Sequence, residues 1–259
     1  MPRAPAPRSG RLLHSAGTAR IITILADRDG VCLITGVGPG TGTALARRFA
    51  SGGYRVALLA RTRERLAELE REVHGSRAFA CDVGDPEALA RVLDEVRRTL
   101  GHPEVVIHNA VAGSFGTFRD IDPADLERNF RVNVVSLLHL ARDLLPEMVV
   151  RERGALIVTG NTSALRGKPT FAGFAPTKAA QRILAQAIAR EVGPRGVHVA
   201  YVVIDAVIDV PWTRQAFASR PDDFFIQPRA IADEVWHLAH QDRSAWSFDV
   251  EIRPFGENW

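Results

Sequence analysis

In the stretch GVCLITGVGPGTG, residues 30–42, an apolar β-rich run ends in closely spaced glycines. TALARRFASGG (43–53) follows at once, with apolar residues at helical spacing and a glycine stop. Gly36 permits a tight turn, Gly40 lets the backbone approach a pyrophosphate, and Gly42 allows a helix to pack closely on a strand. A helix that begins here would offer free N–H groups and its positive dipole end to phosphate. The stretch therefore predicts nucleotide binding.

The alternation of apolar strand and helix continues along the chain. The predicted strands are 30–36, 54–61, 76–83, 104–110, 154–160 and 196–204, and the predicted helices are 43–53, 62–73, 86–100, 123–150 and 176–192. Continuous apolar strands between helices are typical of a parallel sheet that is covered on both faces. We therefore predict an α/β protein in which residues 30–259 form a single domain, a Rossmann-type, doubly wound parallel sheet.

Composition and cysteine placement indicate a soluble protein of a reducing compartment. The 259 residues are 46% hydrophobic and 24% charged, which is typical of soluble globular proteins. No apolar run approaches the roughly 20 residues that cross a bilayer, so we expect no membrane association. Cys32 and Cys81 lie within apolar runs, which favours buried thiols and a reducing compartment. We expect no metal site and a cytoplasmic location.

The formal charge is concentrated at the start of the chain. Residues 1–29 contain five arginines and two aspartates, a net of +3 that equals the formal charge of the whole chain. The remaining residues are therefore neutral on balance, and no basic stripe indicates nucleic-acid binding. We interpret 1–29 as a flexible basic extension, in which IITIL (21–25) could add a short strand. An organellar transit peptide is the alternative, because the first 26 residues are rich in Arg, Ala and Pro and lack acids.

The end of the second predicted strand indicates which nucleotide binds. An acid at this point would bind the ribose 2′-hydroxyl of NAD, whereas an arginine suits the 2′-phosphate of NADP. The strand ends in LLAR (58–61), and Arg63 and Arg65 follow closely. We therefore predict that NADP(H) is preferred over NAD(H), with Arg61 as the partner of the 2′-phosphate. The alternative is that these arginines only solvate the next helix.

From about residue 30 to residue 250 the chain resembles the short-chain dehydrogenase/reductase family. Thr35, Gly36, Gly40 and Gly42 have the spacing of that family's glycine motif. Asp82-Val83 is similar to its adenine-contacting pair, and His108-Asn109-Ala110 to its NNAG motif with the first asparagine changed. The resemblance implies that these residues bind the cofactor: Thr35, Gly36, Gly40, Thr41, Gly42, Arg61, Asp82, Val83, Asn109 and Lys178.

The catalytic segment departs from the family pattern. The family has a Tyr-x-x-x-Lys pair and a serine 13 residues before the tyrosine. Lys178 matches the lysine, but Phe174 stands at the tyrosine position and Asn161 at the serine position. The resemblance implies that Lys178 binds the nicotinamide ribose, and that Asn133 helps to hold this lysine through water. Lys168 and Lys178 are the only lysines among 33 basic residues, which favours a retained contact over chance.

Phenylalanine can neither donate nor accept a proton, and the loss of a general acid costs roughly 10²–10⁴ in rate. The candidate catalytic residues are therefore Asn133, Asn161, Phe174 and Lys178, with the Asn161 amide able to donate to an oxyanion. Tyr54 and Tyr201 lie in predicted strands elsewhere and offer no substitute.

Four further residues near this segment have two interpretations each. His108 relays a proton or is simply hydrogen-bonded, and Lys168 meets an anion or is an exposed loop residue. Asp205 and Asp209 reach the substrate or cap a loop.

Two classes of function follow. The first is an NADP(H)-dependent oxidoreductase whose proton comes from water, the substrate or a non-standard side chain. Its best version is reduction of an activated alkene, since hydride addition gives an enolate that solvent protonates. The second is a cofactor-binding sensor or assembly protein without turnover. The predicted lid, 210–228, is rich in aromatic residues and favours a mostly apolar small-molecule substrate.

The resemblance also implies self-association. The family pairs the helices that correspond to 123–150 and 176–192, and joins edge strands near 246–253. We therefore expect a homo-tetramer or homo-dimer.

Overall fold

The central sheet forms because its strands bury side chains on both faces. In the first strand, Val31 and Leu33 pack on one side while Cys32 and Ile34 pack on the other, and all four are buried. The structure is a computed structural model that describes residues 30–256. The predicted basic extension 1–29, with its possible strand at 21–25, lies outside the described residues.

Seven parallel strands make up the sheet, in the order β3-β2-β1-β4-β5-β6-β9. They are β1 Val31–Thr35, β2 Arg55–Ala60, β3 Ser76–Ala80, β4 Pro103–His108, β5 Gly154–Asn161, β6 Val197–Ile204 and β9 Asp249–Ile252. A separate parallel pair joins β7 Val207–Ile208 to β8 Phe225–Ile226.

Helices cover both faces of the sheet. They are α1 Thr41–Ser51, α2 Arg63–Glu72, α3 Pro86–Thr99, α4 Pro123–Phe130, α5 Ser136–Val150, α6 Ala175–Val192, α7 Pro211–Ala216 and α8 Pro228–Ala239. Apolar residues of α3, α5 and α6 form one core, and those of α1, α2 and α8 form the other. The prediction of a single α/β domain with a doubly wound parallel sheet is confirmed.

The structure differs from the predicted elements in two places near the site. The predicted helix 123–150 is two helices separated by a π-helical turn, Arg131–Val135. The third strand ends at Ala80 rather than at residue 83, so Asp82 and Val83 lie in the following loop. Because of these differences, Asn133 lies in a π-helical turn, and Asp82 and Val83 lie in a loop. Single π-helical turns within α-helices are frequent at functional sites.

The strand order reverses between β1 and β4. The chain leaves β1 toward β2 on one side, and β4 continues the sheet on the other. In doubly wound sheets, the crevice at the carboxyl ends of such a pair of strands is the ligand site. The fold therefore directs attention to the loops that follow β1 and β4.

Candidate functional site

The loop after β1 is a tight turn packed against the end of β4. Gly36 has φ +70°, and a Cβ at this position would lie 2.4 Å from Ala110 Cα. A Cβ on Gly42 would lie 2.6 Å from Val37 Cα. Only glycine fits either position, because one backbone passes directly over the other.

The start of α1 faces this turn. Thr41 is the first helical residue, and its buried Oγ1 has no hydrogen-bond partner among residues 30–256. A Cβ on Gly38 would meet no atom within 4 Å, so the backbone is open there. An orphaned hydroxyl beside free helix N–H groups fits a phosphate oxygen. These residues therefore suit the diphosphate of a dinucleotide.

Gly40 touches the segment that follows β6. A Cβ on Gly40 would lie 2.6 Å from Cγ1 of Val210, the residue before α7. The predicted lid therefore rests directly on the turn that would hold the diphosphate.

A cleft of about 450 Å³ runs from this turn along the ends of β2, β3 and β4. Arg61 and Arg65 line its outer part, and both are exposed and make no ion pair among the described residues. Asp82 and Val83 line the floor, and Asp82 Oδ1 accepts a hydrogen bond of 2.9 Å from the Gly84 N–H. The structure thus brings the predicted glycine turn, Arg61 and the Asp82-Val83 pair to one cleft.

Asn109 links the turn after β1 to β5 through its side chain. Its Nδ2 donates to the Gly36 carbonyl at 2.8 Å, and its Oδ1 accepts from Thr159 Oγ1 at 3.0 Å. Thr35 Oγ1 accepts the backbone N–H groups of Asn109 and Ala110, each at 3.2 Å. Thr35 and Asn109 therefore hold β1, β4 and β5 in position, whatever they contribute to a ligand.

His108 is a buried member of the same network. Its Nδ1 lies 3.1 Å from Thr35 Oγ1, whose lone pairs already accept two N–H groups, so the hydroxyl donates to Nδ1. Its Nε2 then carries the proton and faces Ser136 Oγ at 3.4 Å. Burial, followed by the nearby charge of Lys178, lowers the pKa of His108 to about 3. This geometry supports the hydrogen-bonded interpretation of His108 rather than a proton relay.

Asn133 lies in the π-helical turn and is fully buried. Its side chain exchanges hydrogen bonds of 2.9 and 2.8 Å with the backbone of Ala112, and Nδ2 also donates to Thr177 Oγ1 at 2.8 Å. The side chain thus links the loop after β4 to the start of α6.

Lys178 lies in the first turns of α6 and is only 2% exposed. Its Nζ donates to the Thr159 carbonyl at 3.2 Å and to Gln181 Oε1 through a short hydrogen bond. Burial lowers the pKa of Lys178 to about 7. This ammonium therefore changes charge in the neutral pH range, unlike an ordinary exposed lysine.

Phe174 caps the start of α6 and is 5% exposed. Its ring packs on the backbone of the cleft-lining Gly113, where a Cβ would lie 2.9 Å from the ring. The Phe174 ring centroid is 5.3 Å from that of Phe115 and 6.4 Å from that of Phe171. Three phenylalanines thus form an apolar cluster at the start of α6, beside the cleft-lining Gly113.

The remaining candidates have protein partners. Asn161 ends β5, and its Oδ1 accepts from the Ser163 N–H at 3.0 Å, while its Nδ2 has no partner in the described part of the chain. Asp205 faces two arginines at 3.8 Å. Asp209 is bound by both Nε and Nη2 of Arg214, so it holds the lid rather than capping an isolated loop. Lys168 is exposed, with its Nζ 5.7 Å from the centroid of the Phe171 ring.

Two functional neighbours escaped the sequence reasoning. Gln181 is fully buried beside Lys178, and the signal for it was a polar residue three positions after the lysine on an otherwise apolar helix face. Tyr201 lies in the predicted strand, as expected, but its hydroxyl is 3.4 Å from Gln181 Oε1, a contact that the sequence did not indicate. Gly160 leaves room for the tyrosine ring, since a Cβ there would lie 2.2 Å from it. Tyr201 has no exposed surface, so it does not reach a substrate.

No helix within residues 30–256 is long and apolar enough to cross a bilayer. No group of three or more His, Cys, Asp or Glu side chains in this range has the arrangement of a metal site.

The fold and the cleft define a Rossmann-type nucleotide-binding protein. Residues 30–219 match the short chain dehydrogenase family, and the chain belongs to that family of nicotinamide-dependent oxidoreductases. Versicolorin reductase 1 of Aspergillus parasiticus is 33% identical over 183 residues, which are 68% of this chain and 69% of the relative.

Solved structures show the same fold. A metagenomic short-chain oxidoreductase in complex with NADP is 28% identical, with a TM-score of 0.76 over 87% of this chain and 97% of that chain. An NADPH-bound short chain oxidoreductase of Pseudomonas aeruginosa, described as containing an atypical catalytic center, is 21% identical, with a TM-score of 0.81. It covers 90% of this chain and 99% of its own, a likeness that bears on the fold alone.

Proposed function

We propose that this chain is an NADP(H)-dependent reductase with a non-standard proton source, which reduces an activated C=C or C=O bond in a mostly apolar substrate. The observation that carries the proposal is Phe174, which stands four residues before Lys178 and packs against the cleft. An apolar ring at this point leaves hydride acceptance possible but supplies no proton.

NADP(H) is the cofactor that the cleft favours. The fold serves both NAD and NADP, so the preference rests on Arg61, with Arg65 beside it. Neither guanidinium is neutralised by a carboxylate among the described residues, and a 2′-phosphate would form a charge-assisted hydrogen bond with Arg61. The 28%-identical structural neighbour in complex with NADP is consistent with this choice.

Calorimetric titration tests the cofactor. We expect NADPH to bind far more tightly than NADH, and Arg61→Ala to weaken NADPH roughly 10- to 100-fold with little effect on NADH. Arg63→Ala is the matched control, because Arg63 lies two residues away but does not line the cleft. Equal affinity of the parent for both cofactors, or an equal effect of the two substitutions, would contradict the preference.

Exposed aromatic side chains lie on the two segments that border the cleft, the loop after β4 and the lid. Phe115 and Phe118 are 64% and 80% exposed in the loop after β4, and Trp212 is 70% exposed at the start of the lid helix α7. Exposed apolar side chains are typical of binding surfaces. They favour a mostly apolar substrate.

Lys178 and Asn161 are the residues of the chain that we place at the nicotinamide end of the cofactor. When bound, the nicotinamide supplies the hydride. Lys178 orients the adjacent ribose through its remaining N–H, and the Asn161 amide donates to the oxygen on which negative charge develops. Reduction of a conjugated C=C bond suits this set best, because hydride adds to the β-carbon and the enolate then takes its proton from solvent at the α-carbon. No side-chain acid is then needed.

Isotope labelling distinguishes this reaction from carbonyl reduction. With NADPH deuterated at the transferable position, a conjugated aryl enone should gain deuterium at its β-carbon. In deuterated water it should gain deuterium at its α-carbon. The saturated ketone of the same skeleton is the control substrate and should react more slowly. Tight NADPH binding with no oxidation of any enoyl or carbonyl substrate would instead favour the sensor or assembly role.

A further inference from the structure

Gln181 makes direct hydrogen bonds to Lys178 and to Asn133, the two residues that the family resemblance joins through water. Its Nε2 donates to the Asn133 carbonyl at 2.7 Å, and its Oε1 accepts from Lys178 Nζ. The amide orientation follows from these partners, because a carbonyl can only accept and an ammonium can only donate. Gln181 has no exposed surface, so solvent does not compete for either contact.

The same network fixes the direction of Lys178. Two of its three ammonium hydrogens are directed to the Thr159 carbonyl and to Gln181, and the third has no partner among residues 30–256. The Tyr201 hydroxyl lies 3.4 Å from both Gln181 Oε1 and the Lys178 carbonyl, so its one hydrogen is shared weakly between them. Gln181 is therefore held from three sides and leaves Lys178 a single free donor.

Within residues 30–256, no buried carboxylate balances the Lys178 charge. The titratable groups that face this network are His108 from β4 and Tyr201 from β6, and both are uncharged near neutral pH. The charged pair beyond Tyr201, Arg182 with Asp249, neutralises itself through two hydrogen bonds. Lys178 thus relies on neutral oxygen acceptors alone, which is why its burial lowers its pKa.

We propose that Gln181 is a positioning residue that ties Lys178 directly to the backbone of Asn133 and thereby sets the direction in which Lys178 offers its remaining donor to the cofactor. The proposal rests on the proposed contact of Lys178 with the nicotinamide ribose. It implies that cofactor affinity falls as the pH rises through the titration of Lys178, because the neutral amine is a weaker donor than the ammonium.

The composition of the chain gives a direct measurement of this titration. Lys168 and Lys178 are its only lysines, so Lys168→Arg protein grown on ¹³C-lysine has a single lysine signal by NMR. Gln181→Glu places a carboxylate beside the ammonium and should raise the midpoint of that titration by at least about one pH unit. Gln181→Leu removes the acceptor and should lower it. Gln186→Glu, a partly buried position one and a half turns further along α6, is the matched control and should leave it unchanged.

The NMR titration is measured on the protein without cofactor, so it tests the positioning role independently of NADPH binding. If Gln181→Glu and Gln181→Leu both titrate like the parent, the positioning role is wrong. The second readout is the dissociation constant of NADPH, measured by calorimetry from about pH 6 to about pH 9. It should rise across the parent's titration and shift to higher pH in Gln181→Glu.

The two proposals fail differently. If Lys178 titrates as expected but NADPH affinity does not follow it, the link between Gln181 and the cofactor is wrong. If NADPH does not bind the parent at all, the proposed function fails, while the NMR titration still decides whether Gln181 positions Lys178.

Discussion

At the scale of single residues, Phe174 is the departure with the clearest chemical consequence. Phe174→Tyr adds one hydroxyl four residues before Lys178, and we expect the ammonium to lower the pKa of the new phenol. Asn161→Ser restores the hydroxyl that the family places near the oxyanion. We expect the double variant to reduce simple ketones or aldehydes with NADPH at least about tenfold faster than the parent.

Asn161→Ser alone is the control and should gain little, since the proton source would still be missing. A double variant that binds NADPH but gains nothing across a broad carbonyl panel would show that the site has diverged beyond these two positions. Gln181 would then be the first residue to change, because it holds Lys178 toward Thr159 and Asn133.

The sequence predicted the parts of the site that depend on local backbone. Glycine spacing after a buried strand identified the turn at Gly36 and the start of α1, because conformation there depends on the residues themselves. It did not identify Gln181, because a polar residue three positions after Lys178 does not by itself show that its amide reaches the Asn133 carbonyl, 48 residues away in the chain. Tyr201 lies in the predicted strand 196–204, but the sequence did not indicate its contact with Gln181.

At the scale of elements, the sheet order and the paired cores followed from apolar periodicity, whereas the irregular segments did not. The π-helical turn at Arg131–Val135 lies within a continuous helical pattern, and nothing in that pattern marks the extra residue. The predicted lid, 210–228, contains the short helix α7, and the β7–β8 pair joins its end to the segment after β6, neither of which the sequence indicated.

The lid is held by one arginine. Arg214 binds both oxygens of Asp209 at 2.6 and 2.7 Å, reaches Asp222 at 2.5 Å and lies 4.1 Å from the centroid of the Phe225 ring. These hydrogen bonds, with one from Gln227, lower the pKa of Asp209 to about 2. The carboxylate is therefore charged at every working pH.

Asp209→Asn should loosen the lid. We expect the KM for substrate to rise about two- to fivefold, with little change in NADPH affinity, because a partly exposed ion pair contributes up to about 1 kcal/mol. Asp223→Asn is the matched control, since Asp223 is exposed on the same segment and its carboxylate makes no ion pair among residues 30–256. Equal KM changes in both variants would contradict a specific role of the Asp209–Arg214 ion pair in holding the lid.

At the scale of the whole molecule, His108 links stability to pH. Its pKa is lowered in the folded chain to about 3 from an ordinary value of 6.5, so below pH 6.5 the unfolded chain binds a proton that the folded chain does not. The free energy of unfolding should therefore fall as the pH drops, by up to about 1.4 kcal/mol per pH unit from this group.

Urea unfolding at about pH 7 and about pH 4.5 measures this effect. His108→Asn should reduce the loss of stability on acidification, whereas His74→Asn, at an exposed position, should not. Equal losses in the parent and in His108→Asn would contradict the buried neutral histidine.

The same scale includes assembly, which stays a prediction. Val135 and Leu138 are each 41% exposed around the start of α5, and Ile183 is 57% exposed on α6. These apolar side chains lie on the two helices that the family uses for pairing. We expect light scattering at micromolar concentration to give two or four times the chain mass of 28.3 kDa, and Ile183→Arg to lower it. A monomeric parent would contradict the prediction.

The contact between Gly40 and Val210 has a kinetic consequence. Because the segment leading into α7 rests on the turn that would receive the diphosphate, a dinucleotide must enter before that segment settles. We expect a compulsory order, in which NADPH binds first and NADP⁺ leaves last. NADP⁺ should then compete with NADPH at every substrate concentration, whereas the reduced product should inhibit noncompetitively toward NADPH. A random order would mean that the lid opens independently of the turn beneath it.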